Sequence, residues 1–438
     1  MKIALINPAW RYEGSIYFGC REPHLPLELG YARAWLEADG HEVMLIDAHA
    51  DPRLDVPARA GAFGAELAVV TTAPTYLFWR CPPPELRAPR GVVAALRKLG
   101  CATVAVGPHG STSPVTTLRK LGVDAVVVGE CEEAVARLAR APRAEWSGLD
   151  GVLVASDAEA VAAGRRPPPR PVASDLARQP PLRWRPGELG RHVHHHHRFD
   201  SCDPGGLGAE VEASRGCPFS CTFCAKTTHR DRYRRRPLDA VAEELDHLVA
   251  EGVTYLYFID EIFLPDAALL QLLESRPVRF GIQTRIDLWT PEQLDDLGRA
   301  GCVSIEAGIE SVSSAGRRAL DKRCRLDTEA LSERLMRARS SVPFVQATLM
   351  DSQHDTAGDI AAWTAKWRAS GIWVNEPVPL FPYPGSPDYE RLWGRPDERA
   401  WERAHEHYLS RFGTFSDLQD ARPVRLPVLE SLEGEVEA

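Results

Sequence analysis

Ser214-Arg215-Gly216-Cys217-Pro218-Phe219-Ser220-Cys221-Thr222-Phe223-Cys224 is the stretch on which the reading of this chain turns. Three thiolates spaced C-x3-C-x2-C can hold three corners of a cubane iron-sulfur cluster and leave the fourth iron without a protein ligand. An iron left open is a place to bind and cleave a small molecule. The other reading of the trio is a structural zinc, with Cys202 or His229 as its fourth ligand.

Downstream of this loop the pattern is that of alternating strands and helices. Apolar runs at 209–214, 254–260, 278–284, 302–309, 344–350 and 374–381 predict six strands, with helices such as 240–250 and 291–300 between them. Six parallel strands with crossover helices make a partial (β/α)6 barrel, in which function gathers at the strand carboxyl ends. Asp260, Glu261, Arg285, Gly308, Glu310 and Ser311 fall at those ends, as do Asp351, His354 and Tyr383. Arg285 is placed to meet a carboxylate bidentately, whereas Asp260 has the alternative of capping the turn that follows it.

Upstream, short apolar runs at 3–6, 43–46, 67–72, 103–106 and 125–128 with helical patterns between them predict a doubly wound, Rossmann-like parallel sheet. Ligands of such sheets lie beyond the strand carboxyl ends. The candidates there are Asn7, Thr72, Pro74, Tyr76, Gly107, His109, Gly110, Ser111, Gly129 and Glu130. The expected divisions are an N-terminal domain at 1–140, a Pro- and Arg-rich linker at 141–208, the barrel at 209–387 and a helical C-terminal extension at 388–438. The linker carries the tract His192-Val193-His194-His195-His196-His197, which reads as a solvated loop or as a cover between the domains.

Composition narrows the setting. A net charge of -9 gives no general attraction to nucleic acid or to an anionic membrane. No apolar run approaches a membrane span and no leader pattern opens the chain, so a cytoplasmic location is expected. Of ten cysteines, three belong to the cluster motif; the others, Cys101 and Cys302 among them, read as small buried residues.

The cysteine loop, with the aromatic Phe223 before its last cysteine, resembles the radical S-adenosylmethionine (SAM) superfamily. Pro26-Leu27-Glu28-Leu29-Gly30-Tyr31, Gly40-His41 through Asp47, Gly107-Pro108-His109 and Val127 through Glu132 resemble the cobalamin-binding domain that precedes the barrel in the largest methylating branch of that superfamily. The resemblance implies a [4Fe-4S] cluster on Cys217, Cys221 and Cys224. It also implies SAM held by Phe223, Asp260, Glu261, Arg285, Gly308, Glu310 and Ser311, and cobalamin at the N-terminal strand ends. Relatives commonly carry a Gly-x-Pro-Gly-Glu-Thr turn after the fifth barrel strand, where this chain has Asp351-Ser352-Gln353-His354-Asp355-Thr356, so Asp351 and His354 are substrate candidates; Tyr383, in the proline-rich turn after the sixth strand that resembles the family's barrel exit, is a third. Asp47-Ala48-His49 lies after the second strand, without the glycine of a D-x-H-x-x-G loop, so His49 is expected to lie on the surface or to support the site, and not to ligate cobalt.

What the resemblance implies for activity is radical methylation of an unactivated carbon on a small-molecule substrate. An electron from a donor such as flavodoxin or ferredoxin reaches the cluster, SAM is cleaved to a deoxyadenosyl radical, and the substrate radical takes a methyl group from methylcobalamin. Two other readings stay open: a radical rearrangement, epimerisation or cyclisation without methyl transfer, and a non-catalytic iron-sulfur and cobalamin protein that binds or senses. No catalytic side chain is singled out.

Overall fold

The computed structural model describes residues 1–192, 206–411 and 423–431. Most of the histidine tract, from 193 onward, and Cys202 lie outside the described residues. The N-terminal sheet contains β1 (Lys2–Asn7), β2 (Glu42–Asp47), β3 (Leu67–Thr71), β4 (Ala102–Val106), β5 (Ala125–Val127) and β6 (Val152–Val154), in the order β2-β1-β3-β4-β5-β6. The first five are parallel, and β6 closes the edge antiparallel to β5. Their cores are buried on both faces, as near-continuous runs of Val, Ile, Leu and Ala require.

The second sheet follows the cysteine motif. It contains β7 (Leu207–Val211), while the short β8 (Ser214–Arg215) and β9 (Arg234–Arg235) pair with each other beside it. It continues through β10 (Val253–Phe258), β11 (Arg279–Thr284), β12 (Cys302–Glu310), β13 (Phe344–Leu349) and β14 (Trp373–Val374) in the order β14-β13-β12-β11-β10-β7. All five pairings are parallel, so the six strands form the expected open barrel. β14 is much shorter than the 374–381 run suggests. Beyond Val374 the chain keeps one bridge, Met350 to Val378, because Pro377, Pro379, Pro382 and Pro384 supply no amide hydrogens for a ladder.

The two sheets share one core. A single buried cluster runs from Ile3, Leu5 and Val69 through Tyr31 and Trp184 to Leu256, Ile305 and Val345. The helix Leu27–Ala38 stands at the junction, and a Cβ on Gly30 would lie 2.9 Å from Leu182 Cδ1 and 3.0 Å from Trp184, so a side chain there would displace them. This differs from the expectation of a plain linker over 141–208. Its first part belongs to the N-terminal sheet, through β6 and the helix Ala158–Ala162, and although residues 165–188 have no regular structure, as their prolines dictate, Val172 exchanges backbone hydrogen bonds with Val128 and Glu130, and Leu176, Leu182, Trp184 and Leu189 are buried. The segment is a strap.

The strap ends in an ion pair. His192 Nε2 lies 2.8 Å from Asp47 Oδ2 at the end of β2, and Asp47 also accepts from Asn7 and from the amides of His49 and Ala50. Burial opposes ionisation of both partners, but their hydrogen bond and mutual charge outweigh it, leaving Asp47 below its ordinary value and His192 above 6.5. His49, pushed down to about 4 by burial, does not compete for the proton.

Ionic contacts also lock the cysteine loop to the N-terminal sheet. Arg215, fully buried, donates to Glu130 Oε2 at 2.9 Å and Glu212 Oε1 at 2.6 Å and lies 2.8 Å from Glu132 Oε1. Glu130 also binds Arg234, and although burial alone would raise its pKa, the charges of Arg215, Arg230 and Arg234 bring it down to about 2. A second knot joins Arg236 to Glu244 and to the hydroxyl of Tyr31 at 2.8 Å. No described helix is long and apolar enough to cross a membrane.

Two predictions follow from these contacts. Arg215→Ala removes the cation shared by three buried carboxylates, of which Glu130 keeps Arg234 and Glu212 keeps Arg230 while Glu132 loses its only charged partner among the described residues, and is expected to cost about 3 to 5 kcal/mol, read as a lower urea midpoint; a loss under about 1 kcal/mol would show the network to be solvated. For His192 the folded pKa is raised, so its contribution is complete below the unfolded imidazole value and is lost as pH rises through the folded one. The urea-midpoint gap between wild type and His192→Gln should therefore narrow as pH rises from about 6 into the alkaline range. A gap constant over that range would rule out an ionic pair.

Candidate active site

Gly216 begins the site. Its φ of +81° and the carbonyl of Arg232 only 2.0 Å from where a Cβ would stand make any other residue strained there, between β8 and Cys217. Cys217, Cys221 and Cys224 then line one cavity of about 380 Å³ at the carboxyl ends of the barrel strands. No three His, Cys, Asp or Glu side chains among the described residues are grouped tightly enough to hold a single metal ion. His229, the sequence candidate for a zinc ligand, is buried against Trp79 with ring centroids 4.7 Å apart, and burial pushes its pKa down to about 3.

The barrel contributes the next layer. Glu261, Arg285, Gly308 and Glu310 line the cavity with Phe223, while Gln283, Thr284, Glu306 and Thr348 also contribute to its wall. Glu310 holds its backbone at φ +61°, a conformation unusual for a side-chain-bearing residue, and its carboxylate pairs with Lys322. Strain of this kind is retained where surrounding structure fixes it, as at ligand sites. Arg285 meets a carboxylate bidentately, but that of Asp287, at 3.2 and 2.7 Å; its guanidinium rests 4.0 Å from the Phe219 ring centre, and its Nη1 is left buried without a hydrogen-bond partner.

Several expected residues stand elsewhere. Asp260 accepts from the amide of Ala213 at 2.9 Å and from the Ser214 hydroxyl, and burial raises it to about 7; of the two neighbouring carboxylates only Glu261 faces the cavity. Ser311 donates to Asp355 at 2.8 Å behind the wall. Asp351 takes the Gln353 amide and His354 is exposed, so Met350 is the residue that this loop gives to the cavity; Tyr383 does line it.

At the N-terminal strand ends the candidates divide. Asn7 is bound to Asp47 and Trp10, Ser111 to Gly107 and the Gly129 amide, and Glu130 to its arginines; Gly129 faces the backbone of Val172, 2.2 Å from an added Cβ. The Pro74 carbonyl accepts from Trp79. Gly110 packs on Val126, and Gly107 on Thr72. Thr72 Oγ1 and Tyr76 OH, by contrast, are buried without hydrogen-bond partners. His109, lowered to about 3 by burial, stacks at 4.4 Å on Trp401 of the helix Ala400–Arg411. Unsatisfied buried polar atoms at these strand ends are what a polar ligand would complete. The residues present therefore suit such a group.

Sequence reasoning missed Phe18, Arg80, Cys81, Lys322 and Phe381, all of which line the cavity. The first three come from loops of the N-terminal sheet, and no local motif marks them. Each of Cys217, Cys221 and Cys224, changed to Ala, is expected to lose the brown chromophore of an anaerobically reconstituted protein along with all SAM cleavage. A variant retaining both, or zinc as the bound metal, would overturn the cluster assignment.

Comparison with known proteins places this geometry. Residues 211–357 match the Radical SAM superfamily. An uncharacterized methyltransferase, PH0819, of Pyrococcus horikoshii is 26% identical over 329 residues, covering 72% of this chain and 66% of that protein. The bacteriochlorophyllide d C-12(1)-methyltransferase of Chlorobaculum tepidum is 29% identical over 112 residues, which are 24% of this chain and 25% of that enzyme. This chain thus spans less than two thirds of either relative. Among solved structures, the radical SAM methyltransferase TsrM of Kitasatospora setae, with cobalamin and a [4Fe-4S] cluster bound, superposes with a TM-score of 0.70 at 20% identity over 95% of this chain and 86% of its own. The cobalamin-dependent radical enzyme OxsB, with aqua-cobalamin and SAM bound, gives 0.62 at 14% identity over 91% and 63%. The fold is that of cobalamin-dependent radical SAM enzymes.

Proposed function

We propose that this chain, a member of the radical SAM superfamily through its residues 211–357, is a cobalamin-dependent enzyme that methylates a carbon of a small-molecule substrate. One observation carries the reading. A single cavity is walled at once by the three motif cysteines, by the charged strand ends of the barrel and by Phe18, Arg80 and Cys81 of the N-terminal domain.

When bound, a [4Fe-4S] cluster with SAM supplies one-electron cleavage of a sulfonium, and methylated cobalamin supplies a methyl group that a carbon radical can take. Cys217, Cys221 and Cys224 would hold the cluster. Glu310, Lys322 and the open Nη1 of Arg285 would bind the ammonium, carboxylate and hydroxyl groups of SAM, with Phe223, Glu261 and Gly308 beside them. Thr72, Tyr76 and His109 would meet cobalamin, with Gly107, Gly110 and Pro74 shaping the approach. His49 is paired to Tyr12 at 3.5 Å and is not assigned to cobalt.

The substrate would lie toward Gln283, Glu306, Met350 and Tyr383, beneath Phe18 and Phe381. Burial pushes the Tyr383 phenol well above its ordinary pKa, so it keeps its proton and can donate a hydrogen bond to the substrate. The apolar rim of this wall would limit the entry of water, which protects a radical from side reactions. The electron would come from a small one-electron donor such as flavodoxin or ferredoxin.

The deciding experiment is anaerobic reconstitution with iron, sulfide, cobalamin and reductant, then incubation of cell extract with methyl-labelled SAM and mass spectrometry of the products. A labelled, carbon-methylated small molecule is the expected result. SAM cleavage without labelled product would instead favour rearrangement, and no cleavage at all a binding role. Glu310→Ala should weaken SAM binding by about 1 to 3 kcal/mol in an equilibrium titration; unchanged affinity would remove Glu310 from the site.

A further inference from the structure

The cluster thiols receive one charged hydrogen bond from outside the barrel. Arg80 closes the 3-10 turn Tyr76–Arg80 that follows β3 of the N-terminal sheet, and its Nη1 stands 2.9 Å from Cys224 Sγ. Among the described residues no other cationic side chain has a hydrogen bond to any of the three sulfurs. The arginine is held in place: its Nη2 lies 3.6 Å from Glu261 Oε1, and Glu261 in turn accepts from the amide of Gly216 at 2.7 Å and from Arg230 at 3.1 Å. Tyr76, at the start of the same turn, stacks against the Arg230 guanidinium at 3.5 Å. The side chain of Arg80 is only 14% exposed, so water screens its charge weakly.

We propose that Arg80 sets the reduction potential of the cluster, so that the N-terminal domain governs how readily the barrel accepts its electron. The proposal rests on the radical SAM reading of the three cysteines. Adding one electron makes the cluster and its thiolates one unit more negative, and no bond need form or break at the guanidinium, which keeps its proton in both states. A fixed cation donating an N–H to sulfur in a shielded site stabilises the reduced state more than the oxidised one and raises the potential. The electron itself comes from an external low-potential one-electron reductant, which is dithionite in the test below. Arg80 is a positioning residue in this role, acting through Cys224.

The test is an anaerobic redox titration of the reconstituted full-length protein, followed by paramagnetic resonance of the reduced cluster, for wild type, Arg80→Gln and Arg80→Lys. Arg80→Gln is expected to hold about tenfold less reduced cluster at a fixed potential, equivalent to a shift of about 59 mV to the negative side for a one-electron couple. Arg80→Lys, which keeps the charge but loses the fork, should fall between the two. Arg80→Gln titrating with wild type at full iron content would overturn the proposal, as would a lysine variant shifted as far as the glutamine one, since the loss would then be of packing. If the glutamine variant fails to load iron, the lysine variant alone decides: a shift well short of about 59 mV supports the proposal, and one of about 59 mV or more with the charge retained overturns it. A wild-type protein that assembles no [4Fe-4S] cluster would instead refute the underlying radical SAM reading, before Arg80 is in question.

Discussion

One guanidinium fixes the geometry on which the rest depends. Arg215 sits two residues before Cys217 and is enclosed by Glu130 and Glu132 of the N-terminal domain and by Glu212 of the barrel. A buried ionic group of this kind is a weak source of net stability compared with apolar packing, because desolvation consumes most of the attraction. Its geometric demand is strict, however. Any shift of the cysteine loop against the N-terminal sheet would leave a carboxylate uncompensated in a dry interface, so the loop has one position.

This constraint explains why the two ends of the sequence were unequally legible. The cysteine trio and the barrel strands are local patterns, spaced residues and apolar runs; the structure brings the three cysteines to one cavity and realises every barrel strand but the shortened β14 with little change. Gly129 and Glu130 fall at a strand end just as ligand-contacting residues would, yet Gly129 faces Val172 and Glu130 faces Arg215. A strand-end position does not reveal whether its partner is a ligand or another domain. Asp260 and Glu261 posed the same difficulty at closer range. Which of two adjacent carboxylates faces inward depends on the alternation of a strand end, and the amide of Ala213 captures the first.

The residues missed altogether share a cause. Phe18, Arg80 and Cys81 lie more than a hundred positions from the cysteines they face, and Lys322 follows a short helix with no motif of its own. Only the register between the two sheets brings them together. The strap was hidden by composition: prolines and arginines suggest a solvated tether, whereas its few apolar residues, Leu176, Leu182, Trp184 and Leu189, are all buried. Spacing among prolines matters less here than where each large side chain lands.

The strap also changes what kind of unit the chain is. It adds a bridge to the N-terminal sheet at Val172, gives the amide of Leu182 to Glu244 on the barrel's first long helix, and returns through His192 to β2. Each half therefore depends on a segment that the other half also holds. The modules cannot be exchanged like beads on a string: an N-terminal sheet transplanted from a relative would need its strap, its junction helix and the opposing arginines to come with it. For such a chain, inheritance of cofactor chemistry and inheritance of the domain boundary are one event.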